Sequence, residues 1–172
     1  MKNIIRMKQL ILVRHAKSSW NNYNLRDIER PLNKRGNRDA PFMGGLLKGK
    51  EILPNIIYSS PAVRAITTAK IIAQKVNYPT ERIINKPEIY EASTNSLLNI
   101  INSFSNKNEI VMMFGHNPGF SMLANYLCRE FTNNMPTCSI VHLSFDINDW
   151  QEITADSGTL ASFEYPKKYN NS

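Results

Sequence analysis

Cysteine is scarce in this chain: there are two in 172 residues, Cys128 and Cys138. They form neither a Cys-x-x-Cys pair nor a zinc spacing with histidine, which excludes a disulfide framework and a thiolate-bound metal. Buried thiols in a reducing compartment are expected instead. The three histidines, at 15, 116 and 142, show no metal-ligand spacing, so neither a metal nor another cofactor is expected. Long apolar runs are missing as well. None approaches the length that spans a bilayer. The run 10–13 is too short for a signal-peptide core and leads straight into Arg14-His15. These absences point to a cytoplasmic protein without a membrane partner. Met7-Lys8 can itself serve as a start, which would make residues 1–6 dispensable.

Charge is present in one dominant sign. Lys and Arg number 21 against 14 Asp and Glu, a formal net charge of +7. Such a surface attracts anions, among them phosphorylated substrates, acidic proteins and nucleic acid. The basic residues are spread along the chain with no dense arm, which argues against nucleic-acid binding.

The length suits a single domain over 1–172, with a core over about 8–165 and flexible ends at 1–7 and 167–172. Short apolar runs at 8–13, 56–59, 83–84 and 110–114 read as strands, and 139–145 and 152–155 as later strands near a sheet edge. Helical periodicity covers 34–48 after the cap Asn33, with Pro41 inside it as a point of kinking. It also covers the stretch to about 76, with Ser60 as cap and Pro61 at the first helical position. Two further helices follow, at 94–104 and after Asn117-Pro118. Strands alternating with helices imply an α/β fold, a three-layer α/β/α sandwich around a mostly parallel sheet.

Three apolar strands end in residues suited to phosphate. The first runs into Arg14-His15, the second reaches Arg64 five residues on, and the third is followed by Gly115-His116-Asn117-Pro118-Gly119. Ligands of open α/β sheets bind beyond the carboxyl ends of the strands, so parallel strands would bring these groups together. Arg64 and His116 would also sit at helix starts, where unpaired N–H groups favour anions. Paired arginines grip phosphate oxygens and offset charge in phosphoryl transfer. A neutral His15 can attack phosphorus, and neighbouring guanidinium groups keep it neutral. A protonated His116 can donate to a phosphate oxygen. His142, inside a strand pattern, is read as packing or surface.

The segments Val13-Arg14-His15-Ala16-Lys17-Ser18, Ser59-Ser60-Pro61-Ala62-Val63-Arg64-Ala65-Ile66-Thr67-Thr68-Ala69 and Gly115-His116-Asn117-Pro118-Gly119 resemble the signatures of the histidine phosphatase superfamily. With the short length and Asp27-Ile28-Glu29-Arg30-Pro31-Leu32, they look most like its SixA-type phosphohistidine phosphatases. The resemblance implies a phosphoglycerate mutase-like fold and a phosphorylated His15. Arg14, Arg64 and His116 would hold the phosphoryl group, with Asn21 and Asn117 as further substrate contacts. It implies as partner a phosphorylated protein, such as a histidine-phosphotransfer domain, or a small phosphorylated molecule. Ala16 departs from the family pattern, which has glycine there.

Ester hydrolysis needs an acid for the leaving group and a base for water. The candidates are Glu91, whose position roughly matches the superfamily's acid, then Asp27, which can instead pair with Arg30, and Glu88. A leaving imidazole, whose conjugate acid has a pKa of about 6.5, needs less help than an alkoxide. The competing functions are a mutase, for which 172 residues leave little room for a lid, and a non-catalytic phosphate-binding module. Lys17, Arg30, Lys34 and Arg35 are candidates for a cationic rim that recruits acidic protein surfaces.

Overall fold

The computed structural model describes residues 7–169. A six-stranded sheet in the order β3-β2-β4-β1-β5-β6 forms its centre. The strands are β1 (Lys8–Arg14), β2 (Ile56–Ser59), β3 (Ile84–Asn85), β4 (Ile110–Gly115), β5 (Ile140–Phe145) and β6 (Thr159–Glu164). β1 to β4 are mutually parallel, β6 runs in the same direction, and β5 alone runs the opposite way between β1 and β6.

Side-chain alternation divides the core between the two faces of the sheet. Ile11, Val13, Ile57, Met112 and Phe114 pack with Met43, Leu47, Ile72 and Ala73 of the helices α1 (Lys34–Gly49) and α2 (Val63–Lys75). On the other face, Leu10, Leu12, Val111 and Met113 pack with Leu97, Ile101, Leu123 and Leu127 of α3 (Thr94–Asn102) and α4 (Gly119–Leu127). This is the expected three-layer α/β/α sandwich. Central strands buried on both faces explain why their sequences are apolar throughout.

Several boundaries differ from the sequence reading. Pro41 does not break α1, which runs through it on a side where Asn37 is exposed. α2 begins two residues after Pro61, with Ala62 at its cap position, and Ser60 serves the site instead. No strand forms at 152–155: Trp150–Glu152 is a 3-10 turn closed by a capping box from Asp149. The edge strand is β6, unexpected because Thr-Leu-Ala-Ser-Phe-Glu is mixed in polarity and half exposed. Of the end expected to be flexible, Lys167 and Lys168 lie in the 3-10 turn Pro166–Lys168 and Tyr169 follows it. Lys168 Nζ and Tyr169 Oη donate to Glu164 at 3.0 and 2.6 Å. The expectations for residues 1–6 and 170–172 lie outside the described residues. Cys128 and Cys138 are buried free thiols, and no helix among the described residues is long and apolar enough to cross a membrane.

Candidate active site

The strand ends converge as their positions in sequence imply. β1 and β4 pair in parallel with Arg14 opposite Gly115, so His15 and His116 follow adjacent strand ends. The His15 N–H donates to the Gly115 carbonyl at 3.1 Å, and the two imidazole rings stand 5.1 Å apart. β2 lies on the far side of β4 and delivers Arg64 into the first turn of α2. His15, Arg64 and His116 are each at least nine-tenths buried.

The imidazole of His15 is oriented from both sides. Its Nδ1 lies 2.8 Å from the carbonyl oxygen of Ala16, an acceptor only, so Nδ1 carries the hydrogen. That leaves the lone pair on Nε2, which accepts from Arg64 Nε at 3.3 Å. The Ala16 carbonyl is in turn held in place through its own N–H, which donates to Thr68 Oγ1 at 3.0 Å. Thr68 donates onward to the Arg64 carbonyl at 2.6 Å. Ala16 does not adopt positive φ, so alanine in place of glycine imposes no backbone strain. Burial first, then the charges of Arg64, Arg14 and Arg30, push His15 down to about 4 against the opposing hydrogen bond to Ala16. At neutral pH it is therefore an uncharged imidazole with its free electron pair on Nε2.

His116 is pushed lower still, to about 3, by burial, by His15 and by the arginines. It is thus neutral in the free site, rather than the imidazolium that the sequence reading considered. Its Nε2 lies 2.7 Å from Ser60 Oγ. That oxygen also accepts from the Ala62 N–H at 3.3 Å and keeps its own hydrogen and a second lone pair, so it serves either tautomer of the ring. His116 Nδ1 and Arg14 Nε are both buried without a hydrogen-bond partner. The site thus holds donor capacity that the chain itself does not use.

Arg14 donates through Nη1 to the Met135 carbonyl at 2.7 Å. Asn117 does not point its amide at a free pocket. It donates to Met135 O at 2.9 Å and Asn134 Oδ1 at 2.7 Å, which ties the 134–135 segment against the site. Its contribution is to hold the carbonyl that orients Arg14. Asn21 lies in the exposed loop after β1, where its backbone N–H donates to Ser19 Oγ at 3.1 Å.

The two candidate acids differ. Asp27 is bound on every side: Arg30 Nη1 donates to Oδ1, and Arg64 Nη2 and Tyr90 Oη donate to Oδ2, each at 2.8 Å. Arg64 Nη1 also reaches the Asp27 carbonyl at 2.6 Å. Partial burial opposes ionisation, but these hydrogen bonds and charges outweigh it and hold Asp27 at about 2. A carboxylate so held is an anchor for Arg64, not a proton donor at neutral pH. Glu91 is exposed, stands at positive φ, and lines a cleft of about 550 Å³ with Arg64, Tyr90 and His116. Glu88 borders a neighbouring hollow. Of the expected cationic rim, Lys34 and Arg35 are exposed. Arg30 is buried, bonded to Ser18 and Asp27, and stacked 3.3 Å from the Trp20 ring. Sequence reasoning assigns no site role to Ser60, Thr68 or Tyr90, whose residue types are common and whose bonds to His116, Ala16 and Asp27 cross more than fifty residues of sequence.

The arrangement places three guanidinium groups and one carboxylate around a neutral imidazole nucleophile. It can bind a phosphoryl dianion and accept it covalently. A family model described as the histidine phosphatase superfamily, branch 1, matches residues 10–97. An uncharacterised chloroplastic protein of Arabidopsis thaliana is 34% identical over 159 residues, covering 88% of this chain and 72% of that protein. Phosphoglycerate mutase 1 of Saccharomyces cerevisiae is 40% identical over 73 residues, 41% of this chain and 30% of the mutase. The protein histidine phosphatase SixA complexed with tungstate superposes with a TM-score of 0.80 at 22% identity, over 94% of this chain and 99% of that one. A SixA from Agrobacterium tumefaciens, described as a putative phosphohistidine phosphatase, gives 0.79 at 24%, over 92% and 98%. The fold is theirs.

Proposed function

This chain belongs to the histidine phosphatase superfamily, and from that premise we propose that it is a phosphatase that passes the phosphoryl group through a covalent intermediate on His15 Nε2. The observation that carries the reading is the His15 tautomer, with Nδ1–H on the Ala16 carbonyl and the electron pair of Nε2 toward Arg64.

The first step forms the Nε2–P bond as the bond from phosphorus to the leaving group breaks. Attack places positive charge on the ring, and the Ala16 carbonyl stabilises it through Nδ1–H. Arg64 and Arg14 bind the phosphoryl oxygens, and His116, taken as the neutral Nδ1–H tautomer with Ser60 donating to Nε2, donates through the otherwise unpartnered Nδ1. Because guanidinium groups supply the positive charge, we assign no metal to the reaction. Glu91 gives its proton to the leaving group. In the second step it takes a proton from the attacking water, the Nε2–P bond breaks, and the electron pair returns to Nε2.

The substrate we assign is phosphohistidine on a protein. Among the described residues Glu91 makes no hydrogen bond or ion pair, and it lies at the exposed mouth of the cleft; an imidazole leaving group needs less help from such an unanchored carboxyl than an alkoxide does. The resemblance to SixA proteins supports the same choice, and two buried thiols suit a cytoplasmic setting. A mutase reading is weaker, since the chain matches about 30% of the length of the yeast mutase.

The test is phosphate release from a phosphohistidine peptide and from p-nitrophenyl phosphate, with chelator present, in wild type and His15→Ala. Expected is turnover of both, faster on the peptide, and its loss in the variant. Binding of phosphate without turnover of either would replace the reading by a phosphate-binding module.

A further inference from the structure

Tyr90 touches both halves of the site without belonging to the group assigned to the chemistry. Its hydroxyl donates to Asp27 Oδ2 at 2.8 Å, and its ring meets His116 edge-on, 5.5 Å between centroids at 87°.

Asp27 needs such a partner. It opens a single 3-10 turn, and its side chain is 45% exposed, so packing does not hold it. Its carboxylate is placed by donors from three separate segments: Arg30 from its own turn, Arg64 from α2, and Tyr90 from the stretch between β3 and α3. Arg64 commits both Nη1 and Nη2 to Asp27, so the direction of its guanidinium toward His15 depends on where Asp27 sits. Two of the three donors are cations that an arriving phosphoryl dianion draws toward itself. Tyr90 is the neutral one, and its bond to the carboxylate does not compete with the ligand.

We propose that Tyr90 is a positioning residue: its hydroxyl fixes Asp27 so that Asp27 presents Arg64 to the phosphoryl group, while its ring sets the tilt of His116. The proposal rests on the phosphoryl-transfer reading above and adds to it a residue that touches no reacting atom. Burial first, then the hydrogen bond to Asp27 and the charges of Asp27 and neighbouring Glu91, raise the Tyr90 phenol against the opposing charge of Arg64, so it stays a donor.

Tyr90→Phe keeps the ring and removes the hydroxyl. A hydrogen bond to a charged group is worth about tenfold in binding, so the dissociation constant for inorganic phosphate and KM should each rise about tenfold. Arg64 grips the phosphoryl group in the ground state and the transition state alike, so kcat should change less than about twofold. In an Asp27→Ala background, adding Tyr90→Phe should change neither quantity, because the hydroxyl then has nothing to place. The proposal fails if a folded Tyr90→Phe, with wild-type melting temperature, binds phosphate as the wild type does. It also fails if the same tenfold loss persists without Asp27. Phosphate binding reads the positioning without turnover. A wild type that binds phosphate but is never phosphorylated at His15 would therefore sink the enzymatic reading, while the binding comparison still decides this one.

Discussion

Acidifying the protein from pH 7 to pH 4.5 perturbs the site without altering a residue. His15 is held at about 4 in the folded protein against 6.5 for the free side chain, chiefly by burial. At pH 7 both states carry a neutral ring, and the shift has no effect on stability. As pH falls through 6.5 the unfolded chain takes up a proton that the folded chain refuses, so folding stability declines. The decline ends below the folded value, where it totals roughly 3 kcal/mol at about 1.36 kcal/mol per tenfold. His116, at about 3, acts with the same sign, and because each ring lowers the other their contributions do not add. Carboxylates do not confuse this window. Asp27 and Glu164, both held at about 2, contribute stability that is present above their unfolded values of 3.8 and 4.5 and is lost as pH falls toward 2. Urea unfolding from pH 7 to 4.5, followed by the emission of buried Trp150, should therefore show a marked loss of stability in the wild type and a shallower one in His15→Gln. Equal slopes for the two proteins would refute the claim that a buried neutral His15 is maintained at the site.

Other substitutions test the walls of the site. A Cβ on Gly119 would lie 2.3 Å from the Ala92 carbonyl, so Gly119→Ala must force the start of α4 away from the segment carrying Glu91. A loss of about 1–3 kcal/mol in stability and at least about tenfold in kcat/KM is expected from denaturation and steady-state assays. Ala16→Gly should cost about 0.5–1 kcal/mol through backbone entropy and leave kcat within about twofold, since that residue needs no positive φ. Cys128 and Cys138 are fully buried, so a thiol reagent should label neither until the protein unfolds.

Legibility in the sequence followed the physical source of each feature. β1 and β4 were plain because strands buried on both faces are apolar throughout. β6 was not, because an edge strand with one exposed face carries Thr and Ser among its apolar residues. Arg14, His15, Arg64 and His116 stood out because each follows a strand end at a similar offset, a purely local regularity. What they do to one another was not local. The pairing of β1 between β4 and β5, the Ser60 bond to His116, and the Arg64 and Tyr90 bonds to Asp27 all join segments tens of residues apart. The contacts of Asn117 were not legible, since its amide bonds to the 134–135 loop, 17 and 18 residues on.

The most direct test of the account is to trap the phosphoenzyme. Wild type and His116→Ala, mixed with phosphoramidate and quenched in alkali, should each show a phosphohistidine by phosphorus NMR. After digestion it should map to His15, with phosphorus on Nε2 and none on Nδ1, because Nδ1 is committed to the Ala16 carbonyl. A phosphoryl group on Nδ1, on another residue, or on none while phosphate is still released would contradict the account.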